Sequence, residues 1–160
     1  MRVLVLNGPN LNLLGQREPE VYGTATLDEI LADLSQEGIR LGVELTFFQS
    51  NHEGALVDRI QQARGVFDGL LLNPGGLTHY SISLLDALLG TGIPAVEVHL
   101  TNPSRREPFR STSVVARGVT ARVEGFGAEG YRLALCGLVH LLERMGSGSG
   151  SERPASGQGN

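Results

Sequence analysis

The sequence contains no lysine, because all 13 of its Lys and Arg residues are arginine. A Schiff-base enzyme, a pyridoxal enzyme and a Walker-type phosphate loop each need a lysine amine. The absence of lysine therefore excludes these three mechanisms. Any carbonyl chemistry in this protein has to proceed without an imine.

Cysteine is almost absent as well. Cys136 is the only cysteine, so an internal disulfide and a thiolate metal cluster are both excluded. Its apolar neighbours on the chain favour the role of a small core hydrophobe. Of the four histidines, His52 and His140 have no partner at metal-ligand spacing. The sequence thus gives no indication of a metal site.

Long apolar runs and long basic runs are missing. No apolar segment approaches membrane-spanning length, and the first residues lack the basic region and cleavage site of a signal peptide. The net charge is -4, and Arg105, Arg106 and Arg110 form the only basic cluster. These features provide no footprint for nucleic acid or for a membrane surface. We expect a cytoplasmic protein.

The apolar residues that are present suffice for one core. A chain of 160 residues that is 41% hydrophobic fits one domain and is too short for two ordinary ones. We predict a single domain over residues 1–145. Residues 146–160 are rich in Gly and Ser, and we predict that this low-complexity tail is disordered.

Short apolar runs alternate with helical patterns along the chain. Strands are predicted at 3–6, 43–48, 68–72, 94–99 and 119–123, and helices at 26–38, around 56–63, at 78–89 and at 128–145. This alternation predicts an α/β fold in which right-handed crossovers cover both faces of a five-stranded parallel sheet. The length and strand number fit a flavodoxin-like three-layer sandwich.

Polar residues gather where the predicted strands end, and ligands bind at the carboxyl ends of such strands. Asn7 and Asn10 follow the first strand, Asn73 follows the third, and Glu97 and His99 close the fourth. Glu97 and His99 are two residues apart on a strand, so they face the same way. A carboxylate that orients an imidazole indicates a general acid. The alternative is that the two side chains only hydrogen-bond to each other at the sheet edge and have no catalytic role.

Residues 7–24, NGPNLNLLGQREPEVYGT, combine a strand end with charged residues, proline and glycine. This composition is unsuited to a core and typical of a mobile flap over a pocket. The segment carries Arg17 and Tyr22. We interpret Tyr22, with an arginine nearby, as a candidate catalytic base.

Residues 125–130, GFGAEG, match the G-x-G-x-x-G pattern of dinucleotide sites. That fingerprint needs a following strand with an acidic residue that holds the ribose, and here only one predicted helix and the tail follow. Glu129 would also place a carboxylate where the pyrophosphate must lie. We therefore predict that the glycines form a tight turn.

Two further patterns have alternative interpretations. His79 and Asp86 are seven apart on the predicted third helix, so they share one face. They line either one long site or two sites across a subunit contact. The arginines of residues 101–110 suit an anionic or polyhydroxylated ligand if this loop lies at the pocket, and otherwise form a solvated surface.

Six blocks in this order resemble the type II 3-dehydroquinate dehydratases of the shikimate pathway: NGPNLNLLGQREPEVYG, QSNHEG, LNPGGLTHYS, EVHLTN, REPFR and GFGAEGY. The resemblance covers residues 2–145. It implies a flavodoxin-like fold and a homododecamer built as a tetramer of trimers. It also implies an imine-free dehydration of 3-dehydroquinate to 3-dehydroshikimate, towards chorismate and the aromatic amino acids, without metal or organic cofactor.

The resemblance implies a role for each reacting residue. Tyr22 matches the base that removes a proton alpha to the ketone, and Arg17 matches the arginine that favours its tyrosinate. Asn10 matches the asparagine that holds a water against the enolate, an oxyanion-type role. His99 matches the acid that protonates the departing hydroxyl, and Glu97 matches its orienting neighbour.

Other matched residues bind the substrate. The backbone amides of Leu100 and Thr101, with the Thr101 hydroxyl, match the group that holds the carboxylate, and Asn73 belongs to the same group. Thr101 stands where serine is commoner, which keeps the hydroxyl.

His79 and Arg110 match the residues that contact the ring hydroxyls. Asp86 matches an acidic residue that reaches the site of a neighbouring subunit. Residues 111–113, Ser-Thr-Ser, lack the histidine often found there, and we expect this difference to affect only a peripheral contact.

Two other functions remain open. One is a non-catalytic flavodoxin-like binding module for a flavin or a small acid, in which residues 7–24 form only a lid. The other is a hydrolase that uses Ser81 or Ser83 with His79. The second is the weaker, because those serines lie on a predicted helix without nucleophile-elbow glycines.

Overall fold

The backbone alternates strands and helices. The structure is a computed structural model that describes residues 1–16 and 19–148, without the side chains of Pro19, Tyr22 and Gly148. The strands are β1 (Arg2–Asn7), β2 (Glu44–Gln49), β3 (Gly69–Asn73), β4 (Ala95–His99) and β5 (Ala121–Glu124). The helices are α1 (Pro19–Tyr22), α2 (Leu27–Leu41), α3 (Glu53–Gln62), α4 (Ile82–Thr91) and α5 (Glu129–Gly148).

The strands form one parallel sheet in the order β2-β1-β3-β4-β5. The order reverses direction at β1 and β3, the strands at which a ligand crevice is expected. In the register, Asn7 lies beside Asn73 and Glu97 lies beside Arg122. The prediction of a five-stranded parallel sheet with a flavodoxin-like arrangement is confirmed.

Two apolar clusters cover the two faces of this sheet. Helices α2 and α5 pack on one face, where Leu34 and Leu135 meet strand residues such as Val5. Helices α3 and α4 pack on the other, where Ile60 and Leu88 are buried. Because both faces are covered, β3 is buried along its whole length, as its continuous apolar run indicates.

Helix α2 has the predicted start and a later end. The Thr26 hydroxyl accepts from the Glu29 N–H at 3.2 Å, and the Glu29 carboxylate accepts from the Thr26 N–H at 2.8 Å, which completes a capping box. The predicted stop at Gly38 is wrong. Gly38 lies inside the helix, where a Cβ would come within 2.9 Å of the Leu45 side chain, and Gly42 ends it with φ 67.

The predicted helix over 78–89 is divided in two. A 3-10 turn spans Gly75–His79, and Ser81 then caps α4 by accepting from the Leu84 N–H at 3.0 Å. His79 and Asp86 therefore belong to different elements, so the prediction that they share one helical face is wrong. Ile82 and Leu89 of α4 are apolar but more than half exposed.

The last helix continues three residues past its predicted end at residue 145, to Gly148. The remainder of the predicted disordered tail, residues 149–160, lies outside the described residues. None of the described helices is long and apolar enough to cross a membrane.

The predicted flap is anchored at its start. Leu11 and Leu14 are buried in the core beside α2, and residues Leu11–Leu13 form a 3-10 turn. The prediction that this segment is unsuited to a core is therefore wrong for residues 11–14, because its spaced leucines bury the turn even among polar residues. Arg17 lies outside the described residues, and Tyr22 is described only by its backbone at the end of α1.

Candidate active site

A cavity of about 180 Å³ opens at the carboxyl ends of β1, β3 and β4. Its lining comprises Pro9, Asn10, Leu11, Leu13, Leu14, Asn73, Gly75, Gly76, His79, His99, Leu100, Thr101, Pro103, Arg106 and Arg110. Seven residues predicted from sequence thus meet in one place: Asn10, Asn73, His79, His99, Leu100, Thr101 and Arg110. None of the described residues that line it is acidic, whereas two are arginines.

The turns that follow β1 and β3 contact each other through their backbones beside the cavity. The Gly8 N–H donates to the Asn73 carbonyl at 2.8 Å. A Cβ on Gly8 would lie 2.5 Å from the Pro74 carbonyl oxygen, so only glycine permits this approach of two backbones. The contact holds Asn10 and Asn73 on one rim.

Asn10 adopts the left-handed backbone conformation, with φ 68, which is uncommon for a residue other than glycine. Its N–H donates to Asn51 Oδ1 at 2.9 Å, and Gln49 Nε2 donates to the same oxygen at 3.1 Å. The loop after β2 therefore holds the turn after β1. Such a conformation persists where neighbouring contacts determine it, and here it places Asn10 at the cavity.

His99 and Glu97 form the predicted pair at the end of β4. Both are buried, and His99 Nε2 lies 2.6 Å from Glu97 Oε1. A carboxylate only accepts, so Nε2 carries the hydrogen and donates it. The other ring nitrogen, Nδ1, then remains for proton exchange with a ligand. Glu97 itself does not line the cavity. It holds the His99 ring through the hydrogen bond to Nε2.

Glu97 accepts from more groups than the sequence indicated. Thr78 and Ser113 donate their hydroxyls to it, Ser113 at 3.2 Å, and Arg122 Nε lies 3.3 Å from its second oxygen. Burial raises the pKa of Glu97, but hydrogen bonds from His99 and Thr78 and the charges of His99 and Arg122 outweigh it. The pKa therefore lies below the usual glutamate value, and the group is a carboxylate.

The supporting groups of Glu97 come from three separate segments. Arg122 was not predicted as a site residue. It lies beside Glu97 on the neighbouring strand, and this position indicates an ion pair only once the strand order is known. The missing histidine of residues 111–113 was expected to affect only a peripheral contact, but the segment that lacks it lies directly against the site. Ser113 binds Glu97, and the Thr112 carbonyl binds His79 Nδ1 at 2.8 Å, so this segment supports two site residues.

The arginines of the loop after β4 lie at the cavity, which decides against the alternative of a purely solvated surface. Arg110 Nε donates to Glu107 at 2.9 Å and its guanidinium lies 5.1 Å from the ring centroid of Phe109. Arg106 also lines the cavity and approaches Glu107 at 3.6 Å. The shared carboxylate of Glu107 holds both cations near the opening.

Asp86 does not reach this cavity within one chain. It is exposed on α4 and lines a separate groove with Gln61 and Arg64. Of the two arrangements left open for His79 and Asp86, a single long site within the subunit is therefore wrong.

The glycines of residues 125–130 form a turn, as predicted. Gly125 and Gly127 have positive φ, and their N–H groups donate to the carbonyls of His99 and Leu100 at 3.2 and 2.8 Å. This turn supports the end of β4. Neither serine of the hydrolase alternative suits a nucleophile at the cavity. The Ser81 hydroxyl caps α4 and donates to Glu53 at 2.5 Å, and Ser83 lines the separate groove of Asp86.

No group of three or more His, Cys, Asp or Glu side chains in residues 1–16 and 19–148 is placed to hold a metal ion. The groups that are present belong to acid–base chemistry. A flavodoxin-like α/β protein with an imidazole–carboxylate pair beside a cationic cavity is equipped to bind a small anion and to transfer a proton to it.

The sequence pattern of the dehydroquinase class II family matches residues 1–139. The chain therefore belongs to this family. It is 56% identical to the 3-dehydroquinate dehydratase of Synechococcus sp. (strain CC9902) over 91% of this chain and 100% of that one. It is 51% identical to the enzyme of that name from Roseiflexus castenholzii (strain DSM 13941 / HLO8), over 98% of both chains.

Solved structures give the same result. The type II dehydroquinase of Butyrivibrio crossotus DSM 2876 superposes with a TM-score of 0.85 at 40% identity, over 86% of this chain and 97% of that one. That of Propionibacterium acnes gives 0.83 at 42% identity, over 87% and 96%. The family resemblance drawn from the six sequence blocks is confirmed.

Proposed function

We propose that this protein is a hydro-lyase that converts 3-dehydroquinate into 3-dehydroshikimate and water, a step of the shikimate pathway that leads to chorismate and the aromatic amino acids. The observation that carries the proposal is the His99–Glu97 pair at the edge of a cavity lined by Arg106 and Arg110. A cavity with cationic walls suits a small carboxylate. The protein acts in the cytoplasm.

The reaction is an anti elimination through an enolate. Tyr22, as tyrosinate, removes a proton alpha to the ketone, and the C–H electrons form the enolate. A water held by Asn10 donates a hydrogen bond to the enolate oxygen. When the ketone re-forms, the C–O bond breaks. His99, protonated on both ring nitrogens, gives its Nδ1 proton to the departing hydroxyl, which leaves as water, and keeps its Nε2 hydrogen bond to Glu97.

Substrate binding uses the rest of the lining. Asn73, the Thr101 hydroxyl and the backbone amides of Leu100 and Thr101 hold the carboxylate, and His79 and Arg110 contact the ring hydroxyls. The His79 ring has its Nδ1 bound to the Thr112 carbonyl, which leaves Nε2 for a ligand. Neither a metal nor an organic cofactor takes part.

Assembly completes the site. Ile82, Asp86 and Leu89 follow each other at i, i+4 and i+7 on α4, so they lie on one face, and all three are exposed. An apolar stripe of this kind indicates a protein contact. In a trimer this α4 stripe carries Asp86 to the cavity of a neighbouring subunit, and four trimers form the homododecamer.

The test is a direct assay of the purified protein with 3-dehydroquinate. The product contains a conjugated carbonyl group, so its ultraviolet absorbance should rise. Borohydride added with the substrate should leave the enzyme active, because no imine forms. Absence of product would refute the proposed function, and irreversible inactivation with a reduced adduct on the protein would refute the enolate mechanism. Substrate binding without turnover would favour the binding-module alternative.

A further inference from the structure

Tyr131 is a fully buried tyrosine below the cavity, and the proposed reaction does not use it. It is 1% exposed and lies in the first turn of α5. Its hydroxyl donates to Asn7 Oδ1 at 2.6 Å and accepts from Asn73 Nδ2 at 3.0 Å. Asn7 and Asn73 end the neighbouring strands β1 and β3, so a single phenol group joins two strand ends, of which Asn73 lines the cavity.

The direction of each hydrogen bond in this group follows from one backbone amide. The Gly75 N–H lies 3.1 Å from the Asn73 side chain, and an N–H only donates, so the atom facing it is Oδ1. Asn73 therefore turns Nδ2 towards Tyr131, whose oxygen must accept. The single phenol proton is then left to donate to Asn7. The orientation of the Asn73 amide is fixed at both ends.

This orientation sets what Asn73 offers to a ligand. Its Nδ2 carries two hydrogens, of which Tyr131 accepts one. Nothing in residues 1–16 and 19–148 accepts the second, and Asn73 lines the cavity. Asn73 therefore presents an N–H donor to the cavity. An oxygen of the ligand can accept this hydrogen bond.

We propose that Tyr131 is a positioning residue that keeps the Asn73 amide turned with its N–H towards the cavity, and that it thereby selects a carboxylate or hydroxyl oxygen of the substrate there. The inference rests on the proposed function, which supplies the ligand. Burial raises the pKa of the Tyr131 phenol, opposed in part by the Asn73 hydrogen bond, so the phenol stays neutral and keeps the proton that defines the direction.

The first test is Tyr131→Phe, which removes one oxygen atom and retains the ring. The Asn73 amide then keeps its hydrogen bond from the Gly75 N–H but loses the partner that holds Nδ2, so it is fixed at one end only. KM for 3-dehydroquinate should rise about tenfold, the value of one net hydrogen bond, while kcat changes less than threefold. The dissociation constant of the product 3-dehydroshikimate, measured by calorimetry, should rise by a similar factor.

A purely structural role of Tyr131 makes a different prediction. Ile60→Val in the cluster on the opposite face of the sheet is the control, since it lowers the melting temperature without touching this group. It should leave KM unchanged. If Tyr131→Phe also leaves KM unchanged, or lowers only kcat, the inference is overturned.

A second variant changes Asn7, the other hydrogen-bond partner of the Tyr131 hydroxyl. Asn7→Leu removes the acceptor of the phenol proton, so the Tyr131 hydroxyl is no longer held in the orientation that accepts from Asn73 Nδ2. KM should rise as for Tyr131→Phe, and the double variant should show no further increase, because both act through one chain of hydrogen bonds. Independent, multiplying effects would overturn the inference. An inactive wild-type protein would instead refute the proposed function, and the inference with it.

Discussion

At the scale of single residues, the donors around Glu97 keep this side chain a carboxylate that orients the His99 ring. Four groups donate to or pair with one buried carboxylate, and the carboxylate in turn fixes the His99 ring by Nε2. A protonated Glu97 would itself carry a hydrogen, so it would no longer only accept from His99 Nε2. Because its pKa is lowered, Glu97 remains an acceptor and keeps Nδ1 of His99 directed to proton transfer.

Removal of the Tyr22 hydroxyl tests the proposed base. An ordinary tyrosine has a pKa of about 10, and bringing it to about 7 takes about 4 kcal/mol, which a guanidinium group beside the phenol can supply in a site closed to water. The family resemblance assigns this part to Arg17. Tyr22→Phe should lower kcat by about 10²- to 10⁴-fold. Tyr80→Phe, which alters an exposed tyrosine outside the cavity, is the control. A wild-type rate in Tyr22→Phe would rule out this base.

At the scale of elements, the sequence predicts the strands and their polar ends well, because a strand buried on both faces has a continuous apolar run. It predicts less well what lies between them. The division of residues 75–91 into a 3-10 turn and α4 depends on Ser81 bonding Glu53 of α3, a contact 28 residues away along the chain. Ile82 and Leu89 of α4 are apolar although they are exposed, so composition alone does not distinguish them from core residues.

Cys136 illustrates the same limit of local patterns. Its leucine neighbours predicted a core position, but it is half-buried and its thiol donates to Glu37 Oε1 at 3.2 Å. Glu37 on α2 also accepts two hydrogen bonds from Arg40, at 2.6 and 2.8 Å, and lies 3.7 Å from Arg132 on α5. This polar cluster links α2 with α5, and only the packing of the two helices reveals it.

The cluster predicts a dependence of stability on pH. Hydrogen bonds from Arg40 and then from Cys136 lower the pKa of Glu37 from 4.5 to about 2. A depressed pKa means that the stabilisation is complete above pH 4.5 and is lost as the pH falls towards 2. The difference in melting temperature between wild type and Glu37→Gln should shrink over this range.

The matched control for that measurement is Cys136→Ser, which keeps a donor to the same carboxylate. Its melting temperature should follow the pH dependence of the wild type. A difference between wild type and Glu37→Gln that is constant from pH 7 to pH 2 would show that the cluster does not lower this pKa.

At the scale of the whole molecule, the sheet brings the ends of three separate strands to one edge. Strand β1 supplies Asn7 and Asn10, β3 supplies Asn73, and β4 supplies Glu97 and His99, while the loops after β2 and β5 hold those ends in place. The parallel order makes all carboxyl ends meet. Within one chain Asp86 lies outside the cavity. The proposed trimer is what gives Asp86 a part in the reaction.

The proposed homododecamer depends on the α4 stripe. Light scattering of the wild type should give a mass near twelve times the 17.0 kDa chain. Ile82→Asp places a charge in the apolar contact and should yield smaller, less active species. Ile39→Asp, which alters an exposed isoleucine on α2, should leave the mass unchanged. A wild type that is monomeric, or an Ile82→Asp variant of full mass, would exclude this contact.

The most direct test of acid–base elimination at this strand edge is kcat of His99→Gln with 3-dehydroquinate. Glutamine keeps an N–H donor for Glu97 but cannot transfer a proton to the leaving hydroxyl. His52→Gln, at an exposed histidine that precedes α3, is the matched control and should retain the wild-type kcat. We predict that His99→Gln lowers kcat by about 10²- to 10⁴-fold. A kcat within threefold of the wild type would contradict the account.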